Sequence, residues 1–248
     1  MQLSGKSLFL QSLAEYRCLT VRQSVAAGLA SEQMTRRYAR TLTAIGLIRS
    51  GAWQTPDGKG RPENMLAVTL KGLGELGLSG KELESRCYSH QYHLNWVRIW
   101  LMQLSERYPG LAVQFRRGSL DTLWPDGIVI LTHEGKSLLF FLEIDMGTES
   151  LAVLEEKLVA YRDSFLAGSY KQFGESCRGF RVLLVCQEWK RLRGVARVCQ
   201  KMAPLPFVWL TEYKSLAQAG AGAAVWSRGG ELKPQFSILG SLAKLGAL

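Results

Sequence analysis

Three carboxylates come within reach of one another if one short stretch of this sequence folds as a hairpin. Pro125-Asp126-Gly127 leads into the apolar run Ile128–Leu131, and a second run from Ser137 ends in Glu143-Ile144-Asp145. Glu134-Gly135 between them reads as a two-residue hairpin turn. The antiparallel register this sets puts Asp126 directly opposite Glu143, and the period of two along a strand puts Asp145 on the same face. Ile128, Ile130, Leu139 and Phe141 make the rest of that face apolar. A hard divalent cation such as Mg²⁺ takes oxygen ligands grouped in this way beside a scissile phosphate, so Asp126, Glu143 and Asp145 are the candidate metal ligands. The next segment, Ser150–Ala167, has helical periodicity: Leu151, Leu154, Leu158, Tyr161 and Phe165 form a core stripe with Lys157 at its edge. A lysine there could reach over the sheet, where its charge would stabilise a phosphorane-like transition state. Asp126, Glu143 and Lys157 are thus the candidate catalytic residues of a phosphodiester-cleaving reading.

A different chemistry is written nearer the start of the chain. Ser31 is a candidate N-cap for a helix reaching Ile45, with Gly46 where helices end. At about 100° per residue, Met34, Tyr38, Leu42 and Ile45 share one apolar stripe, and Arg36, Arg37 and Arg40 fall opposite. Arginine on a solvent-facing helix can donate to guanine edges or to phosphates in a major groove. The segment after it reads as two strands, Leu47–Trp53 and Met65–Leu70, joined by TPDGKGRPEN. Lys59 and Arg61 in that tip, flanked by Gly58, Gly60 and Pro62, are candidate phosphate contacts. Leu8, Leu10, Leu13 and Tyr16 suggest a helix before these elements, Thr20 caps a short second one, and Lys71–Leu78 resumes a helical pattern. Three helices, a hairpin and a closing helix outline a winged helix-turn-helix, for which a docking module for proteins is the alternative use.

Charge and composition agree with a polyanionic partner. The 248 residues carry 31 Lys+Arg against 21 Asp+Glu, a net charge of +10. Residues 1–78 hold ten of the cations and five of the anions, about twice the positive density of the remainder. Gly72–Ser85 (GLGELGLSGKELES) forms a seam, so the expected units are 1–79 and 87–248 with 80–86 as linker. Behind it, a long amphipathic segment, a strand at Val113–Arg116, the hairpin, the Ser150 helix, Arg181–Cys186, Trp189–Met202 and Phe207–Leu210 give an α/β sandwich order. No stretch approaches the ~18 uninterrupted apolar residues of a membrane span, and the N-terminus lacks a signal-peptide pattern. Five scattered cysteines without CxxC fit reduced thiols in a cytoplasm. Cys87, His90 and His93 recur every three residues, but they drift around a helix and no fourth ligand accompanies them. Trp96 and Trp100 read as core or dimer face, and no phosphate-cradling glycine motif is present.

Taken in order, these segments resemble a known family. PDG followed by LEID-x-GT, then K-x-x-x-Y on a helix, is similar to the PD-(D/E)xK nuclease-like core. Preceded by the winged helix and by H-x-Y-x-x-N-x-V-R (His90, Tyr92, Asn95, Val97, Arg98), it resembles the replication-relaxation family of plasmids and integrative elements. The resemblance implies an α/β chain, α+β overall, with an N-terminal winged helix-turn-helix followed by a restriction-endonuclease-like sandwich. It implies a DNA-binding accessory protein of a mobile genetic element, acting in replication, relaxation or mobilisation. Double-stranded DNA, relaxase or replication proteins and a second copy in a homodimer are the partners it suggests. Two alternatives stay open: a Mg²⁺-dependent endonuclease or nickase, and a transcriptional regulator of the element. One departure bears on the choice. Asp145 stands where the nuclease motif has its lysine, so either Lys157 is a migrated substitute or the core is a catalytically dead scaffold.

Overall fold

The computed structural model describes residues 4–55, 61–174, 176–202 and 207–240. The chain divides into two compact units, 1–99 and 100–248. In the first, α1 (Gly5–Tyr16) is followed by β1 (Cys18–Thr20), α2 (Val21–Ala26), α3 (Glu32–Ala44), β2 (Ile48–Trp53), β3 (Glu63–Val68) and α4 (Leu70–Glu75). The three strands form an antiparallel sheet in the order β1-β3-β2. Each helix starts where a side chain can satisfy an orphan N–H. Ser4, Ser31 and Thr69 do so singly, whereas Thr20 and Gln23 cap reciprocally. At Gly72 a Cβ would stand 2.1 Å from the Leu47 carbonyl oxygen, so only glycine lets α4 lie against the start of the hairpin.

Helix α3 buries a different line from the expected one. Thr35, Ala39 and Leu42 are its buried residues, Met34 and Tyr38 are half-buried, and Ile45 is 46% exposed. The small side chains of Thr35 and Ala39 suit a close approach to α2. Ile45 lies past the last helical residue, at the C-cap, where the backbone has left the helical register.

Helix α5 (Tyr88–Met102) begins after a single 3₁₀ turn, and its residues to Ile99 belong with the first unit rather than with the second as the sequence reading has it. The reason is polar. Gln91, His93 and Asn95 are buried on it, and a buried amide needs partners. Asn95 donates to the Cys18 carbonyl, and the Gln23 amide donates to the Tyr92 carbonyl at 2.8 Å.

The second unit runs α6 (Leu104–Arg107), β4 (Ala112–Arg116), β5 (Gly127–His133), β6 (Lys136–Asp145), α7 (Leu151–Ala167), β7 (Phe180–Cys186), α8 (Trp189–Lys201), β8 (Val208–Glu212), α9 (Tyr213–Ala219), β9 (Trp226–Arg228) and β10 (Glu231–Phe236). Its seven-stranded sheet has the order β10-β9-β8-β7-β6-β5-β4. The β6-β7 and β7-β8 pairs are parallel, joined by crossovers through α7 and α8, and the others are antiparallel. One sheet face carries Ile128, Ile130, Leu139, Phe141, Val182 and Leu184, covered by Leu154, Leu158 and Tyr161 of α7 and Leu192, Val195 and Cys199 of α8. The β9-β10 pair extends the sandwich beyond Phe207–Leu210, the last strand expected from the sequence. Among the described residues no helix is long and apolar enough to cross a membrane.

Candidate functional site

In the first unit, Ser31 accepts a hydrogen bond from the Met34 amide at 3.3 Å and so starts α3 about one turn before the first of the arginines. Arg36, Arg37 and Arg40 are all exposed, on the side away from Thr35, Ala39 and Leu42. Arg36 is tethered to Glu32 one turn back, with Nη2 at 2.7 Å and Nε at 3.1 Å from the same carboxylate oxygen. An exposed pair of this kind holds weakly and can exchange for a phosphate. Two grooves border the helix. One, of about 730 Å³, is lined by Arg22, Arg36, Arg61, Asn64 and Trp96; the other, of about 650 Å³, by Arg36, Arg40, Thr43, Ser50 and Asn64. Arg61 thus shares a groove with Arg36, while Lys59 lies outside the described residues. The sequence reading missed Arg22, whose guanidinium sits 5.4 Å from the centre of the Trp96 ring. The approach of α2 to α5, where Gln23 donates to the Tyr92 carbonyl, brings it there, and no local pattern announces that.

In the second unit the hairpin register is the one set by a Glu134-Gly135 turn, with His133 paired to Lys136 and Gly127 to Leu142. Glu134 and Gly135 both have positive φ, at 48° and 75°, as a two-residue turn of this hand requires. Gly127 after Asp126 is needed for packing: a Cβ would meet the Phe115 ring at 2.3 Å.

Glu143 is 5% exposed and both carboxylate oxygens are engaged. The Tyr161 hydroxyl donates to Oε1 and the Lys157 ammonium to Oε2, each at 2.5 Å. Burial pushes the Glu143 carboxyl up to about 7; the charge of Lys157 opposes this and that of Asp126 adds to it. Burial works against the Lys157 charge, yet Glu143, with Asp126 and Glu149 behind it, raises the pKa of the ammonium. The Tyr161 phenol is held far above its ordinary range by burial and by the same carboxylate. Lysine, glutamate and tyrosine therefore form one half-buried network, so Lys157 does reach over the sheet to Glu143.

The other two carboxylates hold partners of their own, and Asp126 stays close enough to Glu143 and Lys157 to act on both. Asp126 Oδ2 accepts from the Ile144 amide at 2.8 Å. Asp145 Oδ1 accepts from the Gly147 amide at 2.8 Å, and its Oδ2 takes the Arg191 Nε at 2.7 Å. Arg191, on α8, was not among the expected site residues; it lies 46 positions from Asp145, beyond any local motif. The expected set of three metal ligands does not assemble, because α8 supplies a cation that fixes Asp145 while Lys157 and Tyr161 occupy Glu143. Among the described residues no group of three His, Cys, Asp or Glu could hold a metal ion. Of the five cysteines, Cys18, Cys177, Cys186 and Cys199 are buried and Cys87 is exposed; burial pushes the Cys199 thiol up to about 12.

Comparisons with known proteins bear on these two units. Two solved structures resemble the chain distantly, at 12% identity each: the restriction endonuclease FokI (TM-score 0.33, covering 98% of this chain and 44% of that one) and the same enzyme bound to DNA (TM-score 0.31, covering 99% and 45%). The chain thus spans less than half the length of either. No curated protein matches it. The replication-relaxation family matches residues 10–175. That match takes in the Arg-bearing helix, the hairpin and the Glu143–Lys157–Tyr161 network over more than half of the sequence, and the chain belongs to the replication-relaxation family.

Proposed function

We propose that this chain is a duplex-DNA-binding accessory protein of a mobile genetic element, acting in its replication, relaxation or mobilisation, and that α3 is the recognition element. The observation that carries the reading is the disposition of Arg36, Arg37 and Arg40, three exposed guanidiniums on one side of a helix whose other side is buried. The order helix, strand, helix, helix, hairpin around it supports a winged helix-turn-helix, in which the third helix enters the major groove. Arg61, and Lys59 two positions before it in sequence, would then contact the backbone. Membership in the replication-relaxation family supports this reading; in it, relaxase or replication proteins are the partners recruited and a homodimer is the form that would match a two-fold site.

The rear unit serves in this reading as a scaffold that does not cleave. Its carboxylates are spent on Lys157, Tyr161, Arg191 and backbone amides.

Binding is tested by fluorescence anisotropy on duplexes from the element's origin region. Replacing Arg36 and Arg40 together by alanine should weaken binding about tenfold or more and lower the slope of log K against log[salt] by about two. Unchanged affinity overturns the recognition assignment. The scaffold reading is tested on supercoiled plasmid carrying the same site with Mg²⁺ or Mn²⁺. Relaxation that Asp126→Ala abolishes overturns it.

A further inference from the structure

Helix α8 has a face that neither the core nor the carboxylate network uses. Leu192, Val195, Ala196, Val198 and Cys199 bury its inner side. Lys190, Arg193, Arg197 and Lys201 are all exposed. At 100° per residue these four positions fall within about 80° of one another, in a ridge about 16 Å long. The helix contains no Asp or Glu, and none of the four cations has an ion pair among the described residues. Glu188, the N-cap residue, is the nearest acid in sequence and makes no side-chain cap bond.

Such a ridge works against its own helix. Arg193 and Arg197, and Arg197 and Lys201, are like charges one turn apart, an arrangement that destabilises a helix. Lys190 sits in the first turn, where the helix dipole favours anions. A surface needed only for solubility would gain by alternating signs. Over 16 Å of duplex each strand carries about five phosphates, which gives four aligned cations a matching row of anions. Trp189, 47% exposed at the start of the helix, sets an aromatic ring beside the first lysine.

We propose that α8 is a second nucleic-acid surface, lying along the phosphate backbone of duplex DNA and adding sequence-independent affinity. The proposal shares with the preceding reading the premise that the chain binds DNA, but not the role of α3. The test uses the full chain and a duplex of arbitrary sequence, with anisotropy followed from 50 to 300 mM salt. Arg193→Gln, Arg197→Gln and Lys201→Gln together should weaken binding at least tenfold and lower the salt slope by two to three, with an unchanged or raised melting temperature. Lys171→Gln, Lys214→Gln and Lys233→Gln remove the same charge elsewhere in the rear unit and should do far less. An equal loss in that control makes the effect one of net charge and overturns the proposal. Full binding by the α8 variant while Arg36→Ala/Arg40→Ala is impaired overturns it and leaves α3 standing. Absence of any binding by the unmodified chain overturns both.

Discussion

Glu143 makes the stability of this protein fall with rising pH across the neutral range, and replacing it with glutamine should remove that fall. The carboxyl is 5% exposed, and its folded pKa of about 7 stands above the ordinary 4.5. A carboxyl raised on folding binds its proton more tightly in the native state. Its contribution is therefore fully present below the unfolded value and is lost as pH rises through the folded one. The span corresponds to about 3 kcal/mol in all, most of it lost between pH 5 and pH 8. Glu143→Gln keeps the shape, can accept from Lys157 through its amide oxygen and donate to the Tyr161 hydroxyl through its amide nitrogen, and has no charge to desolvate. Urea unfolding at pH 5, 6, 7 and 8 would show wild type losing stability over that range while the variant stays nearly level and matches or exceeds wild type at pH 8. A wild-type protein equally stable at pH 5 and pH 8, or a variant with the wild-type slope, would refute the assignment of Glu143 as the titrating group.

Two further perturbations probe the framework. Tyr161→Phe removes a hydroxyl whose oxygen is bonded to the buried carboxylate; the expected cost is about 1–3 kcal/mol, read as a lower urea midpoint with unchanged m-value. Gly72→Ala places a methyl 2.1 Å from the Leu47 carbonyl, so backbone must move. The expected result is loss of about 3 kcal/mol or more, and of duplex binding with it, measured by thermal unfolding and anisotropy.

How far the sequence discloses this molecule depends on whether a feature is local. The β5-β6 hairpin is readable because two turn residues and an alternating apolar pattern determine its register, and Asp126 and Glu143 follow from it. The arginines of α3 are readable because helical spacing is all that separates them from the buried line. The line itself is misplaced: small residues, Thr35 and Ala39, fill it where larger ones were expected. Strand β1 escapes notice because Cys18–Thr20 is three residues between helices, held by pairing with β3 far along the chain. The Asp145–Arg191 pair escapes for the same reason. A crossover brings α8 back onto the strand ends, and no spacing rule links a carboxylate to a guanidinium an entire β-α-β unit away.

The buried polar residues of α5 decide where the front unit can be severed and still fold by itself. A fragment stopping within 80–86 would strip the acceptor from the Gln23 amide, which is 0% exposed, and the Asn95 donor from β1. One carried past Ile99 keeps both. Helix α5 is thus a strut of the front half, and limited proteolysis should liberate a resistant piece that includes it.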